Sequence, residues 1–424
     1  MGMSDKLKIL SAYFSKRWTL NRLRTRADIS LRQLQLLRKL RVHATQAFPF
    51  YRAQNTVDFK DWPIIDKTIL LNEFHGMNAL GMAREQAWDL AESSLRNGNN
   101  SAQFKHHTIG TSTGTSGQRG LFIISSDERI MWLGSILARC VEEFPWVKRR
   151  VAVMLATGND LYQTSSASGR LAFQFIDLKL GLEIHSEGLQ KFSPDILIGP
   201  PGVIAALAHA KLDLHLKHIF TGGEVLDEID ALPIAQWFGI KPRSIYQATE
   251  GFLGVACKYG HIHLNEDDML FEEEPVVGHP NHFVPIITDL RRRSQAMIRY
   301  RLNDILVKLE RPCPCGSPLM ALARVEGRCD DVLLINGVKI MPDGLRAVIL
   351  DADRKLTDFR LSQKLDTSLE LSFNSDASSA TIENVTTALT NYLESRVGKI
   401  ALKVSIGIPA EPAKKLRRIM CEIR

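Results

Sequence analysis

VAVMLAT at residues 151–157, DILIGP at 195–200 and HIFTGGE at 218–224 are three short apolar runs that each end in a turn. Runs of this kind are typical of strands that are buried on both faces of a sheet. Stretches with helical periodicity lie between and around them. The alternation predicts an α/β fold in which helices flank the sheet.

Length and composition fit a chain with more than one domain. It has 424 residues, of which 45% are hydrophobic and 24% charged, so we expect a sizeable core. Around residues 312–328 the composition shifts to Cys, Pro and Gly, and DVLLINGVKIMP at 331–342 begins a new strand pattern. We therefore predict a large domain over residues 1–327 and a small one over 328–424.

The charge balance favours anionic partners without choosing among them. The net charge is +7, and residues 1–45 are strongly basic, with Leu31, Leu34, Leu37 and Leu40 at helical spacing. Such a segment either docks on the domain with one solvated face or contacts a membrane surface. Both interpretations stay open, and we expect no nucleic-acid partner.

We recognise no membrane-span or secretory-signal pattern in the sequence. No stretch approaches the roughly 18 consecutive apolar residues of a membrane span. The start, MGMSDKLKILSAYF, is broken by charges and does not resemble a secretory signal. Six cysteines in a chain of this length do not indicate a disulfide scaffold. We therefore expect a cytoplasmic protein.

TSTGTSGQRG at residues 111–120 combines three glycines with five hydroxyl side chains. Its backbone N–H groups could turn inward, and its hydroxyls could reach phosphate oxygens. The lysine of the Walker pattern is missing, which disfavours a P-loop ATPase. Taken alone, the run is either a phosphate-binding loop or an ordinary surface loop.

Four soft ligands could form a metal site. Cys257 and His263 lie in CKYGHIHLNED, and Cys313 and Cys315 form the C-x-C turn of PCPCGS. These four side chains would suffice for tetrahedral, structural Zn²⁺. His261 competes with His263, and unliganded thiols are the alternative. No special task is expected for the remaining cysteines, which are Cys140, Cys329 and Cys421.

Further motifs follow in a fixed order: TGGE (221–224), YQATEG (246–251), TDL (288–290), RYRLND (299–304) and GRCDD (327–331). Together with the hydroxyl-rich loop they resemble the core motifs of the adenylate-forming superfamily, in its phenylacetate–CoA ligase-like branch. Relatives of that branch include coenzyme-F synthetase-related enzymes and acyl-amino-acid ligases. The resemblance runs from FPFYR (48–52) and PIIDK (63–67) to the C-terminus.

The resemblance implies a large N-terminal adenylation domain, with mixed β-sheets flanked by helices, and a small mobile α+β C-terminal domain. Asp330 matches the hinge between them. Glu250 would hold Mg²⁺ and Thr249 would contact the α-phosphate. Arg328 would lie at the ribose–phosphate side. Lys415 would neutralise charge at the α-phosphate, unless a single gap gives that role to Lys414.

The remaining matched positions would bind the nucleotide. Asp304 would accept both ribose hydroxyls, and Tyr246 would stack near the adenine. The other implied contacts come from the base-side loop (Gly222, Gly223, Glu224) and from the loop around the β- and γ-phosphates (Thr111, Ser112, Thr113, Gly114, Thr115, Ser116, Gly117).

The implied function is the ATP-dependent activation of an aromatic or otherwise hydrophobic carboxylic acid to an acyl-adenylate, followed by transfer to CoA. Amide formation and nucleotidyl transfer to a coenzyme are the enzymatic alternatives. A catalytically inactive nucleotide- or acid-binding homologue is the non-enzymatic one. Arg119 replaces the usual proline of the phosphate loop, which leaves acid and acceptor open. Candidate liners of the acid pocket are Phe173, Phe175, Phe220 and Phe252.

Overall fold

The computed structural model describes residues 3–96, 101–111, 119–141, 146–155, 171–178, 181–408 and 417–423. Its α-helices are α1 (Met3–Arg22), α2 (Arg26–Ala47), α3 (Lys67–Asn72), α4 (Arg84–Arg96), α5 (Ser126–Cys140), α6 (Leu182–Phe192), α7 (Pro201–His209), α8 (Glu228–Phe238), α9 (Pro342–Ala352) and α10 (Ser379–Val397). Short 3₁₀ helices cover Pro49–Thr56, Phe59–Asp61, Phe74–Met77 and Cys329–Asp331.

The strands fall into a main sheet and three smaller ones. They are β1 (Ser101–Phe104), β2 (His107–Thr111), β3 (Leu121–Ser125), β4 (Arg149–Leu155), β5 (Leu171–Asp177), β6 (Ile196–Gly199), β7 (His218–Gly222), β8 (Arg243–Ala248), β9 (Gly251–Ala256), β10 (Ile262–Leu264), β11 (Met269–Pro275), β12 (His282–Asp289), β13 (Tyr300–Arg301), β14 (Asp304–Lys308), β15 (Ala321–Arg328), β16 (Leu333–Ile335), β17 (Val338–Ile340), β18 (Phe359–Gln363), β19 (Leu369–Phe373), β20 (Leu402–Ile406) and β21 (Ile419–Cys421).

The main sheet has twelve strands, in the order β11-β12-β14-β15-β10-β9-β8-β7-β6-β4-β5, with β13 paired to β12. The three apolar runs of the sequence became β4, β6 and β7, which are parallel neighbours. Val151 and Phe220 face α1 and α5, whereas Ala152 and Ile219 face α7 and α8. Burial on both faces explains why these runs are continuously apolar, and the expected α/β class is confirmed.

Residues 333–423 build a core of their own. Strands β20-β19-β18-β21 form a four-stranded sheet, against which α9 and α10 pack. The centre of this core contains Leu361, Leu371 and Leu389, each fully buried. The segment between the two cores contains the end of β15 and the turn Cys329–Asp331. We call residues 333–423 the C-terminal unit.

The basic N-terminal segment forms α1 and α2, both packed on the domain. The buried stripe of α2 contains Ile29, Leu36 and Leu40, while Leu31 and Leu34 are exposed. No helix in the described ranges is long and apolar enough to span a membrane.

Three cations of this segment bind an acidic loop, which we define as Glu266, Asp267 and Asp268. Lys16 Nζ lies 2.7 Å from Asp267 Oδ2, Arg26 Nη2 2.7 Å from Glu266 Oε1 and Arg32 Nη2 2.9 Å from Asp268 Oδ1. Arg139 of α5 also pairs with Asp267. Part of the positive charge of the N-terminal segment therefore pairs with the acidic loop and attaches the segment to the rest of the protein.

Candidate functional site

Thr249 and Glu250 form the two-residue turn between β8 and β9. The guanidinium of Arg292 fixes the backbone of this turn, since it donates hydrogen bonds to the carbonyl oxygens of Thr249 (3.3 Å) and Glu250 (3.2 Å). Arg292 is itself buried and donates to Gln295 Oε1 at 3.0 Å. The turn is thus fixed through its backbone carbonyl groups.

Tyr246 and Asp304 meet beside this turn. The Tyr246 hydroxyl donates a 2.7 Å hydrogen bond to Asp304 Oδ2. Burial raises the pKa of Tyr246 well above its usual value, and the Asp304 carboxylate adds to the shift, whereas Arg328 opposes it. Asp304 begins β14 and is paired with Arg328 at the end of β15. The structure therefore brings Tyr246, Asp304 and Arg328 together.

A cleft opens next to the Thr249–Glu250 turn. It is lined by Lys67, Gly120, Thr249, Glu250 and Tyr300 among others. The Tyr300 hydroxyl is hydrogen-bonded to the Glu250 carboxylate, and burial raises its pKa, with Glu250 adding to the shift. Lys67 and Tyr300 were not among the predicted site residues. Their positions at the end of PIIDK and inside RYRLND were the available signal.

The described ends of the hydroxyl-rich loop lie at the hairpin of β2 and β3, where Thr111 pairs with Leu121. Gly120 reaches the cleft with Glu250. Ser112, Thr113, Gly114, Thr115, Ser116 and Gly117 fall outside the described residues, as do Lys414 and Lys415.

The base-side loop follows β7. Gly222 ends that strand and pairs with Ile245, the neighbour of Tyr246. Gly223 has φ = +87°, in the region that favours glycine, and so lets the chain turn towards Glu224. This part of the candidate site is therefore adjacent to the Tyr246 strand. Asp330, the expected hinge residue, lies in the turn Cys329–Asp331.

Cys257, His263, Cys313 and Cys315 form a cluster whose ligand atoms all lie within 4.8 Å of one another. Cys257 Sγ is 3.6 Å from Cys313 Sγ, and Cys315 Sγ is 3.2 Å from His263 Nε2. Bonds of about 2.1–2.3 Å to one central ion would place tetrahedral ligands at similar separations. These four residues therefore fit a tetrahedral metal ion.

The neighbourhood of the cluster favours metal binding. His263 Nδ1 lies 3.2 Å from the carbonyl oxygen of Leu319, which directs Nε2 towards the thiols. Burial lowers the pKa of His263, so its imidazole is in the neutral, ligating form. Backbone N–H groups of Tyr259 and Ser317 donate to the sulfurs of Cys257 and Cys315. His261 is outside this group of four.

The four phenylalanines belong to one apolar cluster. Phe220 and Phe252 are buried in it, and Phe173 and Phe175 pack against it as partly buried residues. The rings of Phe173 and Phe175 stack with centroids 6.0 Å apart. The cluster lies between α5 and the main sheet, so these four rings are part of the core.

Comparison with known proteins gives partial sequence matches, and no family model matches the chain. It is 26% identical over 180 residues to a phenylacetate–coenzyme A ligase of Thermus thermophilus, covering 38% of this chain and 40% of that ligase. A phenylacetate–coenzyme A ligase of Pseudomonas putida is 26% identical over 181 residues, again covering 38% of this chain and 40% of the ligase. The chain thus matches less than half the length of these relatives.

Solved structures match over nearly the whole chain. A 2-hydroxyisobutyryl-CoA ligase in its postadenylation state has a TM-score of 0.65 at 18% identity, covering 92% of this chain and 89% of that one. The same ligase in its thioesterification state has a TM-score of 0.51 at 18% identity, with coverages of 95% and 91%. An acyl acid amido synthetase has a TM-score of 0.61 at 14% identity, with coverages of 91% and 87%. These findings confirm the expected fold and the expected resemblance to phenylacetate–CoA ligases.

Proposed function

We propose that this chain, which has the fold of the adenylate-forming superfamily, uses ATP and Mg²⁺ to convert a hydrophobic or aromatic carboxylic acid into an acyl-adenylate. Pyrophosphate leaves, and the acyl group then passes to the thiol of CoA. The observation that carries the proposal is the Tyr246–Asp304 hydrogen bond of 2.7 Å next to the Thr249–Glu250 turn. ATP and CoA as substrates favour a cytoplasmic location.

The described residues offer groups to the ribose, the phosphates and Mg²⁺. The Asp304 carboxylate, which accepts the Tyr246 hydroxyl through Oδ2, would also accept ribose hydroxyls. Arg328, paired with Asp304 across β14 and β15, would favour the phosphate side through its positive charge. Glu250 offers carboxylate oxygens, which Mg²⁺ prefers, and Thr249 offers a hydroxyl to the α-phosphate.

The first half-reaction needs no covalent enzyme intermediate. The acid's carboxylate attacks the α-phosphorus, and the bond to pyrophosphate breaks. Residues 111–117 would bind the β- and γ-phosphates, and Lys415, or Lys414 after a one-residue shift, would neutralise charge near the α-phosphate. The chain's contribution is positioning and electrostatic stabilisation.

The test is acid-dependent exchange of labelled pyrophosphate into ATP, over a panel of aryl, indolyl and fatty acids. Exchange with one class of acid that disappears in Lys415→Ala would support adenylation. If Lys414→Ala abolishes exchange instead, the lysine role moves by one residue. No exchange with any acid, despite ATP binding, would favour nucleotidyl transfer or a non-catalytic homologue.

Amide formation is the second candidate for the transfer step. The likeness to an acyl acid amido synthetase over 91% of this chain supports it. The active acid from the exchange panel, ATP and either CoA or a mixture of amino acids would be incubated with the enzyme. Mass spectrometry of the product, thioester or amide, decides between the two acceptors.

We also propose that the Cys257–His263–Cys313–Cys315 cluster holds structural Zn²⁺. Its support is the compact ligand set and the hydrogen bond of His263 Nδ1 to Leu319. Four protein ligands leave no open position for water, so the ion would stabilise the β9–β10 hairpin rather than react. Elemental analysis of purified protein should give about one zinc per chain, and a metal-free, fully folded protein would contradict the proposal.

A peripheral lipid contact through α1 is the remaining proposal. Leu7, Phe14 and Trp18 are exposed on the side of α1 opposite the buried residues Ile9 and Tyr13. The Phe14 ring lies 6.4 Å from that of Trp146, and Arg22 covers Trp18. Exposed aromatic rings beside cations favour the interface of an anionic membrane.

Sedimentation with phosphatidylglycerol vesicles tests this contact. Phe14→Ser with Trp18→Ser should abolish the binding. Leu31→Ser, which removes an exposed leucine from α2, should preserve it. If wild-type protein stays in the supernatant, the contact does not exist.

A further inference from the structure

Arg417 and Arg418 come directly after the segment that contains Lys414 and Lys415. They lead into β21, which pairs in parallel with β18 of the C-terminal unit. The backbone carbonyl of Arg418 accepts a 2.7 Å hydrogen bond from the N–H of Leu361. Lys415 is therefore three residues before Arg418, whose backbone is hydrogen-bonded to the C-terminal unit.

The Arg418 side chain is buried and binds carboxylates from both sides of the boundary between the cores. Its guanidinium donates to Asp230 Oδ2 at 2.6 Å and Oδ1 at 3.0 Å, and to Asp227 Oδ2 at 2.8 Å. Asp227 and Asp230 lie at the start of α8, whose Ile234 packs against the main sheet. The third partner, Asp358 at 2.8 Å, belongs to the C-terminal unit itself.

The carboxylates on α8 are close in sequence to the candidate nucleotide loop. Asp227 is three residues after Glu224, and it also forms an ion pair with Arg346 of the C-terminal unit, whose Nε lies 2.9 Å from Asp227 Oδ1. Arg417 pairs with Asp331, three residues after Arg328. Both neighbours of the lysine segment are thus held next to parts of the candidate site.

We infer that Arg418, with Asp227 and Asp230, forms a latch that positions the terminal lysine segment for the adenylation half-reaction. The inference rests on the proposed function and assigns Arg418 a positioning role. If the C-terminal unit turned away for the transfer step, Arg418 would leave Asp227 and Asp230, whereas Asp358 would move with it. The latch therefore favours the adenylation half-reaction over the transfer half-reaction.

Asp230→Asn is the main test, because it weakens the latch with little change in volume. Exchange of pyrophosphate into ATP, with phenylacetate as the first probe, should fall about tenfold, as expected for one lost charge-assisted hydrogen bond. Transfer from supplied phenylacetyl-adenylate to CoA should be unchanged or faster. Asp358→Asn is the matched control, and both of its rates should stay within about twofold of wild type.

A structural measurement separates positioning from general damage. Small-angle X-ray scattering of Asp230→Asn without substrates should depart from the wild-type profile, while Asp358→Asn should reproduce it. Arg418→Lys should restore part of the exchange lost in Arg418→Met, since a cation returns to the pocket.

Equal losses in both half-reactions, or unchanged exchange in Asp230→Asn, would overturn the latch. Absence of exchange in the wild-type protein with every acid is a different result, which overturns the proposed function instead.

Discussion

The Cys/His cluster draws its four side chains from two short segments, whereas the candidate nucleotide site draws on six stretches between Lys67 and Arg328. In the cluster, Cys257 and His263 belong to one hairpin and Cys313 and Cys315 to one turn. In the nucleotide site, side-chain oxygens of Glu250 and Asp304 are directed by separate partners. The closed Cys/His cluster stabilises its surroundings, so substitutions there should lower stability. The open candidate nucleotide site presents polar groups to a ligand, so substitutions there should lower turnover.

The largest effect is expected at the cluster. His263→Asn should remove the zinc and lower the free energy of unfolding by about 5 kcal/mol or more, since structural zinc contributes its binding energy to folding. Urea denaturation together with metal content measures the change. His261→Asn is the control, because His261 is outside the four ligands, and it should keep both metal and stability. Equal effects of the two substitutions would refute the ligand assignment.

Glu250→Gln should have the opposite effect, with a loss of activity and little loss of stability. Pyrophosphate exchange is expected to fall on the order of 10²-fold, because the amide is a poor ligand for Mg²⁺, whereas the unfolding free energy should change by less than about 1 kcal/mol. Glu310→Gln, which alters an exposed glutamate, should leave exchange intact. If Glu250→Gln destabilises the chain as strongly as a cluster substitution, the contrast between the two sites fails.

The acidic loop, which lies beside the Cys/His cluster, allows stability to be tested as a function of pH. Burial alone would raise the pKa of Asp268, but Lys16, Arg291 and Arg32 hold it well below its usual range. The unfolded chain therefore binds this proton first, and the stabilisation is present above about pH 4 and is lost as the pH falls further.

Between pH 6 and pH 3, wild type should lose roughly 1 kcal/mol of unfolding free energy through this group. Lys16→Met, which removes the nearest cation, should show a smaller loss over the same range in urea titrations. An identical pH dependence in the two proteins would show that Lys16 does not control Asp268.

The smallest effect is expected at Tyr246. Tyr246→Phe removes the hydrogen bond to Asp304 and should raise the KM for ATP about five- to tenfold, equivalent to about 1 kcal/mol. The kcat should change less, since ribose contacts are already made in the bound substrate. Tyr259→Phe, at an exposed tyrosine near the cluster, serves as the control. An unchanged KM in Tyr246→Phe would remove the hydroxyl from the site.

Local pattern was enough for the strands and for the members of the Cys/His cluster. Continuous apolar runs predicted β4, β6 and β7 because each is buried on both faces. The C-x-C turn pointed to Cys313 and Cys315, which the structure brings together with Cys257 and His263. The choice between His261 and His263 depended on the tight turn Cys257–Gly260, whose register the sequence did not reveal.

Long-range pairings could not be predicted from the pattern. The cations of α1 and α2 resembled a solvated or membrane-facing surface, yet Lys16, Arg26 and Arg32 bind carboxylates that lie far along the chain. Arg418 likewise binds three carboxylates that come from two different cores. Charge alone does not specify a partner, because any acid within reach satisfies it.

Lys16 and Asp267 are 251 residues apart in the chain. At synthesis rates of about 5–20 residues per second, α1 leaves the ribosome roughly ten to fifty seconds before its acidic loop does. Throughout that interval Lys16 lacks the carboxylates of Asp267 and Asp268, with which it pairs in the folded protein. Helices α1 and α2 are consequently made well before the carboxylates that complete their docking. Nascent chains that end before the acidic loop should therefore be clients for a holding chaperone.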